Sequence, residues 1–363
     1  MEHDEFMNRA LELARMGSGM VNPNPLVGAV IVKNGKIIGE GYHECYGKAH
    51  AERNAVESAV EDVTGSTIYI TLEPCAHYGK TPPCVDLIIK KKFNKVVIGM
   101  LDPNVLVAGK SIEKLKKHGI EVISGVKEKE CMKINEIFIK YITSKIPFVL
   151  LKSGISLDGK IATANGESKW ITSKESREDS QFLRNRFASI MVGVNTIIAD
   201  DPELTCRIKN GKNPIRIIVD SNLRIPLDSK VVKNNNKLTI VATTEAANQN
   251  KKQELIDLGV KVIEVNQKNN RVDLNELIKK IGEEGIDSIL IEGGGTLNFS
   301  ALKESIVDKV RFYITPKILG GEKSKSSVAG EGFLELENAV KLKNTTYRTI
   351  GEDIVIEGYV DKW

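Results

Sequence analysis

Apolar residues Phe6, Ala10, Leu11 and Ala14 recur at helical spacing, so the chain opens on an amphipathic helix. Two apolar runs follow, 27–32 and 36–39, and the Asn34-Gly35 pair between them reads as a hairpin turn. The pattern then alternates: helix over 51–60, strand 67–72, helix 85–92, strand 96–100, helix 111–118 and a short strand 121–124. Such alternation predicts a three-layer α/β/α domain. The periodicity lapses over 141–147 and restarts in a strand at 148–152, which places a domain boundary at about residue 145. Beyond it, strands are expected at 190–194, 215–220, 238–243, 261–264, 288–292 and 310–314. Helices are expected at 174–185, 252–258, 274–283 and 296–305, giving a second α/β domain; Asn234, Asn235 and Asn236 read as a surface turn.

A length of 363 residues suits two such domains. Net charge is +4, from 52 basic and 48 acidic residues, too balanced to point to nucleic acid. Lys90, Lys91, Lys92 and Lys95 read as a solvated helix end. No apolar run approaches the ~18 residues of a membrane span, and the acidic N-terminus lacks the apolar core of a signal peptide. Five cysteines, two of them inside the motif below, fit a reducing compartment better than a disulfide framework. A cytoplasmic protein with neither nucleic acid nor membrane as partner is expected; whether it forms a homo-oligomer stays open.

The chemistry concentrates in 48–84, where H-A-E holds His50 and Glu52 and P-C-A-H-Y-G-K-T-P-P-C holds Cys75 and Cys84. Residues i and i+2 of a regular helix point apart, so His50 and Glu52 can share a site only at a helix start, which is where the pattern puts them. Cys75 falls just past a strand end, and Cys84 begins a helix after two prolines, where a thiolate is stabilised. Three ligands with one open position describe a hydrolytic zinc; a purely structural site would recruit His77 as a fourth. Zinc deaminases carry H-x-E followed by P-C-x-x-C, with the glutamate a proton shuttle and not a ligand. Here eight residues separate the cysteines, which argues against a nucleic-acid-editing enzyme.

Taken with N-P-x-V-G upstream, these motifs resemble the bacterial bifunctional riboflavin-biosynthesis deaminase/reductase family over nearly the whole chain. The resemblance implies a cytidine-deaminase-like domain at 1–145, with zinc on His50, Cys75 and Cys84 and Glu52 as general acid/base. It implies substrate contacts from Asn24, His43, Lys80, Asp102 and Asn104, with Lys80 on a phosphate. The expected substrate is a diaminopyrimidinone ribosyl phosphate. Zinc would bring the pKa of its water towards ~7, and Glu52 would pass protons to the ring and to the departing ammonia.

The run I-L-I-E-G-G-G-T-L-N-F-S ends a strand in three glycines and starts a helix, a ready anion site for a dinucleotide's phosphates, though often only a tight turn. With L-K-S-G-I-S-L-D-G-K-I-A, G-E-S-K-W-I-T-S and G-V-N-T-I-I-A-D-D-P-E-L-T-C-R, it resembles the reductase half of the family. That implies a dihydrofolate-reductase-like α/β domain at 146–363, using NADPH to reduce the ribosylamino side chain to ribitylamino. Cofactor contacts are implied for Gly154, Trp170, Thr196, Asp200, Ser221 and the turn Gly294, Gly295, Thr296, Leu297, Asn298, Phe299 and Ser300. Substrate contacts are implied for Ser168, Arg184, Leu204, Arg207 and Glu292, the two arginines offering forks for a phosphate. Lys152 and Asp200 are the polar residues expected to orient the sugar and relay a proton. Cys45, Cys131 and Cys206 read as buried or incidental thiols. The rival reading is a deaminase whose second domain is structural or oligomerising.

Overall fold

A computed structural model describes the chain apart from residues 1, 77, 79–81, 105–107 and 362–363. The chain divides into two compact units, Met1–Lys145 and Ile146–Trp363.

The first unit begins with α1 (Glu2–Met16), then the hairpin β1 (Gly28–Lys33) and β2 (Lys36–Tyr42). Its turn residues Asn34 and Gly35 take φ of 50° and 72°, the two positive values a tight hairpin requires. Next come α2 (Ala51–Glu57), β3 (Thr67–Leu72), α3 (Cys84–Lys90), β4 (Lys95–Met100), α4 (Lys110–Lys117) and β5 (Glu121–Ser124). Two helices close the unit, α5 (Glu128–Ile134) and α6 (Glu136–Ser144). The sheet runs β2-β1-β3-β4-β5, with β3, β4 and β5 parallel. Alternate strand residues face opposite layers. Ile68, Ile70, Val96 and Ile98 pack with Ala51, Ala55, Val85, Ile88 and Leu115 of α2, α3 and α4. Tyr69 and Val97 pack on the other face with Met7, Ala10 and Leu11 of α1 and Cys131 of α5. The three layers expected from the alternation are present. Helix α2 stops at Glu57, short of 60, because the Ser58 hydroxyl turns to Glu40, donating to its carbonyl at 2.7 Å and accepting its N–H at 2.9 Å.

The second unit opens with β6 (Phe148–Ser156), α7 (Lys174–Arg186), β7 (Ser189–Gly193), α8 (Val194–Asp200) and β8 (Ile215–Val219). It continues through α9 (Lys230–Lys233), β9 (Thr239–Thr244), α10 (Gln249–Asp257), β10 (Lys261–Val265) and a two-residue ribbon, β11 (Gln267–Lys268) with β12 (Arg271–Val272). Then follow α11 (Leu274–Glu283), β13 (Ser288–Ile291), α12 (Gly295–Lys303), β14 (Lys309–Thr315), β15 (Leu342–Ile350) and β16 (Asp353–Val360). The sheet has nine strands in the order β10-β9-β8-β7-β13-β6-β14-β16-β15. It is parallel from β10 to β14 and antiparallel at β14-β16 and β16-β15. Leu277, Ile281, Leu297 and Ala301 of α11 and α12 cover one face, and Val194, Ile197, Val231 and Leu255 of α8, α9 and α10 the other.

Two sequence readings change here. The asparagine run is a turn with Asn234 and Asn236 exposed, but Asn235 within it is buried: its Oδ1 accepts the Thr239 N–H at 2.8 Å, and its carbonyl takes Arg216 Nη2 at 2.6 Å. The antiparallel tail went unread because β15 is exposed at almost every position, leaving no apolar alternation to detect. Among the described residues, no helix is long and apolar enough to cross a membrane.

Candidate active sites

The first site gathers at the ends of β2 and β3 and the starts of α2 and α3. Helix α2 can lie directly on β2 because a Cβ at Gly41 would come 2.3 Å from the Ala55 backbone nitrogen. That contact seats His50, the residue before α2, and Glu52 in its first turn. Cys75 follows β3, and Cys84 opens α3 and donates its backbone N–H to Cys75 Sγ at 3.3 Å. His50 Nδ1 stands 3.6 Å from Cys75 Sγ and 3.4 Å from Cys84 Sγ. A tetrahedral zinc with Zn–N near 2.0 Å and Zn–S near 2.3 Å spans N···S edges of about 3.5 Å, so His50 Nδ1 already stands one such edge from each sulfur, and all three donor atoms lie within 4.8 Å of one another. One soft–borderline ligand set, one imidazole and two thiolates, suits zinc in chemistry as well.

The Cys75 thiol is lowered to about 4, chiefly because the Cys84 S–H donates to it, and the same contact pushes Cys84 up. Glu52, 3% exposed, is raised first by burial and then by the charge on Cys75. A buried carboxyl whose pKa is raised beside the Cys75 thiolate is suited to taking up and releasing a proton.

Around this centre the structure brings some of the expected substrate residues together. His43 is buried, its ring 5.4 Å from that of His50 and edge-on to it. His43 Nδ1 donates to the Ala49 carbonyl at 3.0 Å, which leaves Nε2 to accept from Asn24 Nδ2 at 3.2 Å. Burial lowers its pKa, in keeping with this neutral form. Asp102 and Asn104 form a turn beyond β4, Asp102 Oδ1 accepting the Asn104 N–H at 2.8 Å. Lys80 and His77 lie outside the described residues. Cys131 is a core filler against Gly99, whereas Cys45 and Cys206 are half-buried.

The second site is a cavity of about 260 Å³ lined by Lys152, Gly154, Ser168, Trp170, Arg184, Arg207 and Glu292, among others. Lys152 and Gly154 come from β6, Arg184 from α7, and Glu292 from the residue after β13. Arg184 is not a free fork. Its Nε and Nη2 grip Glu292 Oε1 and Oε2 at 3.0 and 2.7 Å, and Nη1 donates to the Thr205 carbonyl at 3.0 Å. Of the two arginines expected to fork a phosphate, only Arg207 keeps an exposed guanidinium in the cavity. Leu204 is buried at φ 53°. Trp170 is 63% exposed, and the Arg177 guanidinium lies 4.3 Å from its ring centroid, so it is neither a core residue nor an unsupported one.

Lys152 Nζ sits 5.4 Å over the Tyr313 ring, and Tyr313 in turn donates to Asp179 Oδ2 at 2.5 Å. Burial lowers the Lys152 pKa and Glu292 opposes it. Burial raises Glu292, but Arg184 and Lys152 outweigh it and hold the carboxyl at about 2. Asp200, expected with Lys152 to orient the sugar and relay a proton, is exposed at the end of α8 and absent from the cavity lining; the carboxylate whose charge acts most on Lys152 is Glu292. Spacing along the chain could not reveal this, because the partner comes from a strand 140 residues on.

The ends of the parallel strands β8, β7 and β13 carry several of the residues expected at the cofactor, where open α/β sheets bind ligands. Ser221 follows β8, Thr196 lies in α8 after β7, and Gly294 caps α12 after β13. Gly294 holds φ 79°, and a Cβ there would meet Thr196 Oγ1 at 3.5 Å. The first turn of α12 leaves N–H groups of Gly295, Thr296 and Leu297 for an anion. Leu297, Asn298 and Phe299 point their side chains into the core, so only their backbone can reach a cofactor. Ser300 Oγ takes Arg271 Nη1 at 3.4 Å, and Val272 N–H donates to Ser221 Oγ at 3.2 Å. Arg271 thus brings to this face a cation that the sequence pattern did not single out.

Comparison with known proteins agrees with this geometry. A model of the cytidine and deoxycytidylate deaminase zinc-binding region matches residues 1–100, and one of the RibD C-terminal domain matches 147–356. The chain is therefore a zinc deaminase joined to a reductase, a cytidine-deaminase-like domain followed by a dihydrofolate-reductase-like one. It is 49% identical to riboflavin biosynthesis protein RibD of Actinobacillus pleuropneumoniae over 353 residues, 97% of this chain and 94% of that one. The Escherichia coli RibD is 37% identical, over 98% of this chain and 99% of its own. Two solved structures superpose over 99% of both chains: RibD of Acinetobacter baumannii, at 36% identity and TM-score 0.88, and a Thermotoga maritima protein, at 39% and 0.84. The latter is described as a diaminohydroxyphosphoribosylaminopyrimidine deaminase/5-amino-6-(5-phosphoribosylamino)uracil reductase. The chain belongs to the RibD family of riboflavin-biosynthesis proteins.

Proposed function

We propose that residues 1–145 carry the deaminase and 146–363 the reductase of one bifunctional enzyme, with the site residues in the roles that follow. The enzyme deaminates a diaminopyrimidinone ribosyl phosphate with zinc and reduces the resulting ribosylamino side chain with NADPH. The observation that carries the first half is the His50–Cys75–Cys84 triad with Glu52 buried beside it.

His50, Cys75 and Cys84 would hold the zinc, which when bound supplies the acidity that activates water at neutral pH. Glu52 takes one proton from that water and gives it to the ring nitrogen, then takes the second from the hydroxyl added to the ring carbon and gives it to the leaving amine, so that water replaces ammonia and Glu52 ends as it began. His43, held neutral by Ala49 and Asn24, offers a fixed hydrogen-bonding edge to the pyrimidine. Asp102 and Asn104 contact the substrate from the β4 end, and Lys80 pairs with its phosphate.

In the reductase, the nicotinamide supplies a hydride. Lys152 supplies the proton that completes reduction of the sugar, and Glu292, clamped by Arg184, orients the substrate beside it. Ser168, Leu204 and Arg207 complete the substrate side, Arg207 facing the phosphate. Gly154 makes room on the cofactor side, since a Cβ there would press to 3.0 Å on Thr172. Trp170, Thr196, Asp200, Ser221 and the backbone of 294–300 line the cofactor face, and Arg271 provides the charge for a phosphorylated dinucleotide. The five free cysteines fit a reducing, cytoplasmic setting, and the balanced charge fits small phosphorylated pyrimidines, not nucleic acid or membrane, as partners. Assembly into a homo-oligomer is tested by light scattering.

A coupled assay decides between the bifunctional enzyme and a deaminase with a structural second domain. Wild-type protein should release ammonia from the diaminopyrimidinone phosphate and then oxidise NADPH. Glu52→Gln should retain zinc and lose ammonia release by ~10²-fold or more, while Lys152→Ala should lose only the NADPH step. Ammonia release with no NADPH oxidation in the wild type would leave the deaminase alone.

A further inference from the structure

Glu73 directly follows β3, two residues before Cys75, and is only 4% exposed. Its carboxylate collects four donors from the far side of β4. Oε2 accepts the N–H groups of Asp102 at 3.2 Å and Gly109 at 3.0 Å. Oε1 accepts the N–H of Ser111 at 3.3 Å and its hydroxyl at 2.6 Å. Gly109 is the N-cap of α4 and Ser111 lies in its first turn, so the carboxylate also meets the positive end of that helix.

A carboxylate offers about four lone-pair directions, and these donors fill them, leaving Glu73 little capacity for chemistry of its own. The strand pairing needs no help from the side chain, since β3 and β4 are in register and Glu73 N–H already donates to the Met100 carbonyl at 2.9 Å. What the side chain adds is registration. It ties both ends of the segment between β4 and α4 to the residue next but one to a zinc ligand. Asp102 and Asn104, the pair expected on the substrate, sit within that segment.

We propose that Glu73 is a positioning residue of the deaminase, fastening the Asp102–Asn104 turn at a set place relative to Cys75 so that the bound pyrimidine meets the metal centre. The assignment rests on reading residues 1–145 as the deaminase. Glutamine has the same shape but presents an NH2 where the carboxylate had a second acceptor, so at least one of the two donor pairs is left facing a donor.

The test is steady-state deaminase kinetics of Glu73→Gln beside its zinc content, with reductase turnover on supplied deaminated substrate as an internal measure of folding. The expected result is full zinc, wild-type reductase turnover, KM for the deaminase substrate raised roughly tenfold or more, and kcat within a few-fold. Ser111→Ala, which removes one donor, should raise KM in the same direction by less, and it carries the test if Glu73→Gln does not fold. An unchanged KM in zinc-replete protein would overturn the proposal. So would loss of zinc with a parallel fall in kcat, which would make Glu73 a support of the metal centre. Wild-type protein that releases no ammonia would sink the deaminase reading itself, before any variant is made.

Discussion

Single residues carry the chemistry in both units, and what they can do is decided by neighbours remote in sequence. Lys152 is the clearest case. Burial lowers its pKa, while the charge of the Glu292 carboxylate opposes that shift. A lowered lysine pKa means the protonated form is present at low pH and lost as pH rises, earlier than the ~10.4 of an ordinary lysine. If Lys152 delivers the proton, reductase kcat on supplied deaminated substrate should fall as pH rises, with its midpoint below that value. Glu292, at about 2, is ionised throughout and cannot cause such a fall. Lys152→Arg, whose guanidinium does not titrate there, should lose the alkaline limb whatever its absolute rate; persistence of that limb would assign it to another group. The site residues with local signatures, H-A-E and the two P-C pairs, were legible in the sequence. Glu73, Arg271 and the Arg184–Glu292 clamp were not, because each is defined by a partner in another element.

Elements position these residues through their ends. Helix starts hold His50, Cys84 and the α12 anion turn, and strand ends hold Cys75, Ser221 and Glu292. The turn into α12 depends on Gly294, whose φ of 79° disfavours any residue with a Cβ. Gly294→Val should cost about 1–3 kcal/mol and set a side chain against Thr196, weakening NADPH binding by roughly tenfold or more in a fluorescence titration. Ammonia release by the same protein should be unaffected. Unchanged NADPH affinity would show that the turn is only a chain reversal. At this scale the apolar pattern located most core strands and helices to within a few residues. It missed α5, α6, α8, α9, β15 and β16; α5 is mostly charged with Cys131 its one buried residue, and β15 has almost none buried.

Across the whole molecule, each unit has its own sheet and its own apolar core, and each carries its own candidate site. Chelation followed by dialysis should therefore abolish ammonia release while leaving NADPH oxidation of supplied deaminated substrate within about twofold. A parallel loss of both would mean the second activity depends on the metal. The sequence by itself determined the two α/β units, the boundary near 145, the donor set for zinc and the glycine turn. These are local facts: periodicity follows from which face of an element is buried, and a motif's residue types and spacing imply its chemistry. Tertiary structure alone decided that His50 Nδ1 stands about one zinc edge from both thiols, and that Glu292 is the carboxylate whose charge acts most on Lys152. It also decided that Arg184 is spent on that carboxylate and that Glu73 ties the β4 turn to the metal strand. Burial raises the cost of an unpaired charge or donor, so such partners are chosen by what the fold brings within hydrogen-bond reach, at separations no spacing rule along the chain can encode.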